Sequence, residues 1–403
     1  MKKRQFTLTA LCLSIAAFAM PASAQKKYDP GASDTEIKIG QTMPYSGPAS
    51  AYGVIGKVQA AYFKQLNEQG GVNGRKINFI TLDDGYSPPK TVEMVRRLVE
   101  QDEVLLLMGT LGTPPNSAIH KYVNAKKMPH MFLATGASKW NDPKNFPWTI
   151  GFNPNYHSEG KLYGQHILAT KPNAKIAVLV QNDDYGKDYL GGFKDGLGAK
   201  AASMIVAQAS YEVSDPTIDS QIVTLKGSGA DTFFNITTPK FAAQAIRKID
   251  DVGWKPTHYL NQVSASVGSV LKPAGLDKSV GLISMLYIKD GSDPKWDNDP
   301  TMKDFKALIK KYTPEVSPDD ANATYAYSVA QIMVHVLKQA GDNLTRENIM
   351  KQAANIKDFQ VPMVLPGVLA NTTDTDFALY QTMQLVKFDG KNWVDFGKPV
   401  AVK

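Results

Sequence analysis

Val104-Leu105-Leu106-Leu107-Met108 is an uninterrupted apolar run, and Gly109-Thr110-Leu111-Gly112-Thr113-Pro114-Pro115 follows it as a loop marked by glycine and proline. Apolar residues without alternation read as a strand covered on both faces, as in parallel sheets. A helical stretch from Ser117 to Ala125 comes next, then the strand-like His130 to Leu133. Strand, loop, crossover helix and strand together form the unit of parallel α/β construction.

The same unit recurs on both sides. Upstream, Ile37-Lys38-Ile39-Gly40 reads as a strand running into the loop Met43-Pro44-Tyr45-Ser46-Gly47-Pro48. Val54, Val58, Ala61, Tyr62 and Leu66 then share one helical face, which Gly70-Gly71 terminates. Asn73-Gly74 signals a turn, Lys76 to Leu82 a strand closing on Asp83-Asp84-Gly85, and Pro89 the start of a helix presenting Val92, Val95, Arg96 and Val99. Downstream, the pattern restarts after Trp148. Tyr156 to Ala169 reads as helix, Lys175 to Val180 as buried strand, and Gln181 to Gly186 as the loop before a helix around Tyr189 to Leu197. A strand within Ala201 to Tyr211, a helix at Ile218 to Leu225, a strand at Thr232 to Ile236 and a helix at Phe241 to Ile249 continue the alternation. Val280 to Ile288 reads as a strand, Thr301 to Tyr312 and Asn322 to Ala340 as helices. The tail differs: Met363 to Leu369 and Gln384 to Asp389, with the turn Gly390-Lys391-Asn392, read as extended segments suited to edge strands or interlobe crossings. The fold class is α/β, and two doubly wound parallel-sheet lobes account for it more simply than one very large sheet.

Residues 1–24 have the order of a secretory signal peptide: basic Lys2, Lys3 and Arg4, an apolar run from Leu8 to Met20, and Pro21-Ala22-Ser23-Ala24. The run is too short and broken to span a bilayer, so cleavage after Ala24 and a periplasmic location are expected, without stable membrane insertion. Cys12 is the one cysteine, so an expected mature chain of 379 residues holds neither a disulfide nor a thiolate metal site. That length calls for two domains. Loss of the three basic residues lowers the net charge from +7 to +4, and no long basic run suggests nucleic acid as a partner.

Nothing in the chain reads as a catalytic constellation. The histidines His120, His130, His157, His166, His258 and His335 show no metal-ligand spacing, and His157 with Glu159 reads as surface or helix-capping polarity. Lys226-Gly227-Ser228-Gly229 is not a phosphate loop, and Gly192, Gly196 and Gly198 read as turn and close-packing glycines. Asp183-Asp184 reads as polar capping of the next helix. Neither a metal nor a cofactor is expected, and the chain is not read as an enzyme.

The functional signal is a set of polar loops at the C-terminal ends of strands, where open α/β sheets bind ligands. These are Tyr45 to Tyr52, Leu111 to Asn116, Thr135 to Trp140 and Asn182 to Gly186. Tyr45 and Tyr52 flank one cleft loop. Trp140 reads either as lobe packing or as a ligand-stacking ring.

In Ile37-Lys38-Ile39-Gly40 with Pro44-Tyr45-Ser46-Gly47-Pro48, Gly70-Gly71-Val72-Asn73-Gly74-Arg75, Asp83-Asp84 with Pro88, and Asp184-Tyr185-Gly186, the chain resembles the periplasmic type I solute-binding proteins of the branched-chain amino acid (Leu/Ile/Val) transport group. The resemblance covers nearly the whole expected mature chain. It implies three hinge crossings between lobes that close over a small-molecule ligand, and an inner-membrane ABC permease complex as partner. The implied lobes are about 34–150 plus 279–358 and 151–278 plus 359–403. It implies a ligand carboxylate held by Thr113 to Asn116 and Gly136 to Ser138, with Ser138 as the hydroxyl contact and Tyr185 packing over the ligand.

Amino-acid binders of the group meet the ligand ammonium with an acid on the second lobe. The corresponding stretch, His258-Tyr259-Leu260-Asn261-Gln262-Val263-Ser264-Ala265, contains none. An unpaired buried ammonium is costly, so the expected ligand is an organic acid with an aromatic or branched body, with Asn261 and Gln262 available to a neutral group. Asp183 or Asp184 swinging inward keeps amino acids and amides open as alternatives, and a ligand-sensing domain of a regulatory system, which shares this fold, is a further alternative.

Overall fold

A computed structural model describes residues 26–401; the expected signal peptide, with Cys12, lies outside the described residues. The first sheet has five parallel strands in the order Lys76–Asp83, Glu36–Met43, Leu106–Met108, His130–Leu133, Thr149–Gly151. Helices Val54–Glu68 (α1), Pro88–Glu100 (α2) and Thr113–Ala125 (α3) cross between them. α1 packs against Ala321–Ala340 in one apolar layer, and α2 against α3 in another. α3 begins at Thr113 rather than at Ser117, because Pro114 and Pro115 occupy the first turn, where no internal N–H bond is required.

The second sheet has eight strands. Ile283–Leu286, Thr257–Leu260, Thr232–Ile236, Ile176–Gln181 and Ile205–Tyr211 lie parallel in that order. Thr382–Phe388 joins Ile283–Leu286 antiparallel and carries the edge strands Trp393–Asp395 and Val400–Ala401. Helices Tyr156–Thr170 (α4) and Asp184–Leu197 (α5) pack together on this sheet. α5 starts five residues before the expected Tyr189, since the Asp183 carboxylate accepts from the N–H groups of Tyr185 (2.9 Å) and Gly186 (3.2 Å) and caps it there.

The chain passes between the sheets three times. The first passage follows Gly151. The second follows Leu286, not residue 279, because Ile283–Leu286 pairs on both sides within the second sheet. The third comes after Thr372 rather than at 359: the bonds of Ile356 to Thr372 and of Phe359 to Ala370 hold this segment beside Arg346–Ala353 of the first lobe. Met363 to Leu369 does not form a strand. The Gln360 amide binds the carbonyls of Val361, Val364 and Leu365, leaving a turn with one bridge, Ile288 to Val364. Phe152, Tyr287 and Tyr380, one ring from each passage, pack with centroids 5.2 to 6.3 Å apart.

The α4–α5 contact depends on Gly160 and Gly164 facing Gly192 and Gly196. A Cβ on Gly192 would lie 1.7 Å from the His157 carbonyl oxygen, and one on Gly196 2.1 Å from that of Lys161. The two backbones therefore meet where no side chain fits. Gly192→Ala is expected to destabilise the protein by about 3 kcal/mol, because helices must separate to admit the methyl group. Gly227→Ala, which meets nothing within 4 Å, should change stability by less than about 1 kcal/mol. Urea unfolding followed by circular dichroism compares the two; equal effects would refute the close-contact account.

Candidate functional site

A cavity of about 90 Å³ lies between the lobes, and six of the residues that line it are tyrosines. Tyr52, Tyr86 and Tyr325 come from the first lobe, Tyr156 and Tyr185 from the second, and Tyr287 from the second crossing. Tyr52 sits on the short turn Ser50–Gly53 before α1. Tyr86 adopts φ 61°, held by its N–H bond to Asp84 (2.9 Å). Its ring passes so close to Gly112 that a Cβ there would lie 2.4 Å away. Tyr156 is the first residue of α4; its ring stacks on Tyr189 at 4.6 Å and meets Tyr185 edge-on at 5.4 Å.

Thr113 and Thr135 bring the main polar pair of the first lobe to the cavity, their hydroxyls 2.7 Å apart. The Thr135 oxygen accepts from the Trp140 indole N–H (3.2 Å) and the Ala137 N–H (3.4 Å). Its own proton therefore points to Thr113, leaving the Thr113 hydroxyl proton free for the cavity. Pro114 and Pro115 contribute no N–H, so the start of α3 offers a ligand oxygen the hydroxyl and N–H of Thr113 and little else. Lys289 and Asp290 also line the cavity. The Lys289 ammonium is engaged by Asp299 at 2.6 Å. One Asp290 carboxylate oxygen accepts from the N–H (2.9 Å) and hydroxyl (2.8 Å) of Ser292, and burial raises this carboxyl above the usual range.

Of the residues expected to bind ligand, Tyr52, Thr113, Tyr185 and Gln262 line the cavity. Asn116 and Asn261 stand behind it. The Asn116 amide ties the carbonyls of Thr110 (3.0 Å) and Gly112 (2.8 Å), shaping the loop that presents Thr113. Asn261, with its oxygen toward the Tyr185 hydroxyl, donates to the carbonyls of Asn235 (3.0 Å) and Thr237 (3.1 Å). The other five lie elsewhere. The Tyr45 hydroxyl bonds Thr81 at 2.7 Å over Gly56. Gly136 gives its carbonyl to the Tyr156 N–H, and a Cβ there would lie 2.1 Å from the Pro154 oxygen. Ser138 gives its N–H (2.8 Å) and hydroxyl (2.6 Å) to the Asp188 carboxylate of α5, so a protein carboxylate occupies the donors expected to hold a ligand. Asp184, one turn earlier, pairs with Lys139 at 2.7 Å. Trp140 packs edge-on against His120 and reaches the site only through Thr135.

Sequence reasoning missed Tyr86, Tyr156, Tyr287 and Tyr325 as lining residues, and Glu159 behind them; Thr135 lay in a loop it had singled out. Tyr86 follows Asp83-Asp84-Gly85 at a strand's C-terminal end, a position the loop rule could have included; Tyr325 lies within Asn322 to Ala340, which reads only as a helix. Glu159 is not on the surface but wholly buried. Its carboxylate accepts from the Tyr189 hydroxyl (2.7 Å) and the Gln262 N–H (2.9 Å). Its neighbour His157 does lie outside, paired with Asp195 at 2.9 Å. The described residues include no group of His, Cys, Asp and Glu able to hold a metal ion.

Burial raises the Glu159 carboxyl from 4.5 to about 7 despite its two donors. A raised acid favours the folded state while protonated, so its contribution is full below about 4.5 and is lost as pH rises through about 7. Buried His130 and His258, both lowered to about 3, act in the opposite sense, losing stability as pH falls below 6.5. Glu159→Gln removes only the first effect. Its unfolding midpoint relative to wild type is expected to rise between pH 5 and pH 8 in parallel thermal scans; a pH-independent difference would show that Glu159 does not titrate there.

The sequence profile described as periplasmic binding protein matches residues 36–392. Leu/Ile/Val-binding protein homolog 1 of Brucella suis biovar 1 is 26% identical over 327 residues, covering 79% of this chain and 82% of that protein. Among solved structures, a branched chain amino acid ABC transporter from Thermus thermophilus with bound valine superposes with a TM-score of 0.81 at 18% identity, over 91% of this chain and 97% of that one. The fatty acid ABC transporter substrate-binding protein from Thermomonospora curvata gives 0.76 at 20% identity, over 93% and 95%. At these identities the structures establish likeness of fold. Two doubly wound lobes, three crossings and an interlobe cavity agree with the profile matched across most of the sequence: the chain belongs to the periplasmic binding protein family.

Proposed function

We propose that this protein captures a small organic acid with an aromatic or branched body between its lobes, in the periplasm, and presents it to an inner-membrane ABC permease. The observation that carries the reading is the tyrosine-walled cavity to which both lobes contribute. Rings supply broad apolar contact at small entropic cost, and the Thr113 hydroxyl and N–H supply donors for a ligand oxygen. Binding proteins of this family hold a ligand without transforming it. Closure about the three crossings completes the walls, since neither lobe alone encloses the site.

Amino acid binding is the second reading, and Asp290 favours it. No acid stands in 258–265, but Asp290 brings a carboxylate to the cavity from the second crossing, where it could face an ammonium group. The names of the Brucella and Thermus relatives point the same way.

A thermal-shift panel of leucine, phenylalanine, benzoate, phenylpropanoate and branched 2-oxo acids, followed by calorimetry of each hit, separates the two. The acids are expected to bind at least about tenfold more tightly than the matching amino acids, and Thr113→Val to weaken them about tenfold. Submicromolar leucine or phenylalanine with only millimolar binding of the deaminated acids would establish the second reading instead.

A further inference from the structure

Two cavity residues carry polar groups that the protein leaves without a partner. Among the described residues, the Tyr287 hydroxyl and the Gln262 amide nitrogen (Nε2) are buried and unpaired. Both residues line the cavity. Their backbones are well anchored. Tyr287 is 2% exposed, and its ring packs against Phe152 and Tyr380. Gln262 opens the turn after strand Thr257–Leu260, with its N–H held by the wholly buried Glu159. A buried donor without an acceptor costs about 1–3 kcal/mol, and folded proteins satisfy nearly all such groups. Here neither group serves the packing.

Both groups can donate to oxygen, and both are neutral. The one lysine lining the cavity, Lys289, is already engaged by Asp299, while Asp290 adds negative charge and Glu159 stands directly behind Gln262. A second carboxylate placed there would meet no free cation. A hydroxyl or carbonyl oxygen would take the hydrogen bonds without a charge penalty.

We infer that Gln262 and Tyr287 form a second, oxygen-recognising subsite, so that the ligand carries a hydroxyl or oxo group on its body in addition to the head group at Thr113. Glu159 is the positioning residue, setting the Gln262 backbone through its N–H. The inference rests on reading the interlobe cavity as the ligand site. It narrows the ligand class from plain aromatic or branched acids to oxygenated ones and disfavours dicarboxylates.

The test uses wild type, Tyr287→Phe and Gln262→Leu, the first variant keeping the ring packing at the crossings. Ligand-free unfolding midpoints are measured, then calorimetric Kd values for benzoate, 4-hydroxybenzoate and terephthalate and for phenylpropanoate with its 4-hydroxy form. Midpoints should equal or exceed that of wild type, because an unpaired group is removed. Wild type should prefer a hydroxylated acid over its plain partner about tenfold and over terephthalate by more, and each variant should reduce the first ratio to about threefold or less. A ligand-free midpoint lowered by more than about 2 °C in Tyr287→Phe would show a structural hydroxyl and overturn the subsite. Equal binding of plain and hydroxylated acids by wild type, or an unchanged ratio in both variants, would also overturn it. If no probe binds, the aromatic-acid reading fails, and the ligand-free midpoints alone then support or overturn the subsite.

Discussion

Three separate passages of chain join the lobes, and each places an aromatic ring at the same point. Phe152, Tyr287 and Tyr380 lie within 6.3 Å of one another, with Tyr325 against Phe152 at 5.1 Å. Rings from three passages cannot move independently while packed, so their contact restricts the lobes to motions that the passages share. Tyr287 and Tyr325 also line the cavity. The packing that organises the crossings therefore forms part of the ligand wall, and a molecule touching those rings bears directly on the hinge.

The second lobe reaches the cavity through a different constraint. α4 and α5 approach so closely at Gly160, Gly164, Gly192 and Gly196 that carbonyl oxygens occupy the space of absent side chains. Closeness at the glycines lets Tyr156 stack on Tyr189 and meet Tyr185. It also seals Glu159 beneath them, where two hydrogen bonds only partly offset the burial of a carboxyl group. Four glycines, a ring stack and a buried acid thus form one connected support for Gln262.

Polar contacts outside the cavity join the lobes as well. Ser138 and Lys139 on the first lobe hold Asp188 and Asp184 on α5. Because Lys139 and Asp184 are substantially exposed, that ion pair gains little from Coulomb attraction in solvent. The Ser138 contact is more specific, two donors meeting the two oxygens of one carboxylate. Ser138, expected as a ligand donor, instead joins the two lobes along the rim.

Local order was legible in the sequence. Apolar runs such as Val104 to Met108, helical faces such as Val54 to Leu66, and glycine or proline punctuation depend on neighbours a few residues away, so they revealed the α/β alternation and the loops at strand ends. Those loops led to Tyr52, Thr113 and Tyr185, and the family resemblance led to Gln262. Long-range packing decided the rest. Ile283–Leu286 belongs to the second sheet because of partners at Tyr259 and at residues 384–387, which no local pattern reveals. Ser138 was separated from the cavity by Asp188, fifty residues away, and Glu159 was buried by a helix contact thirty residues along the chain. A side chain's type and spacing state what it can bind; only the approach of distant segments, set by sheet order and helix contact, determines which partner reaches it first.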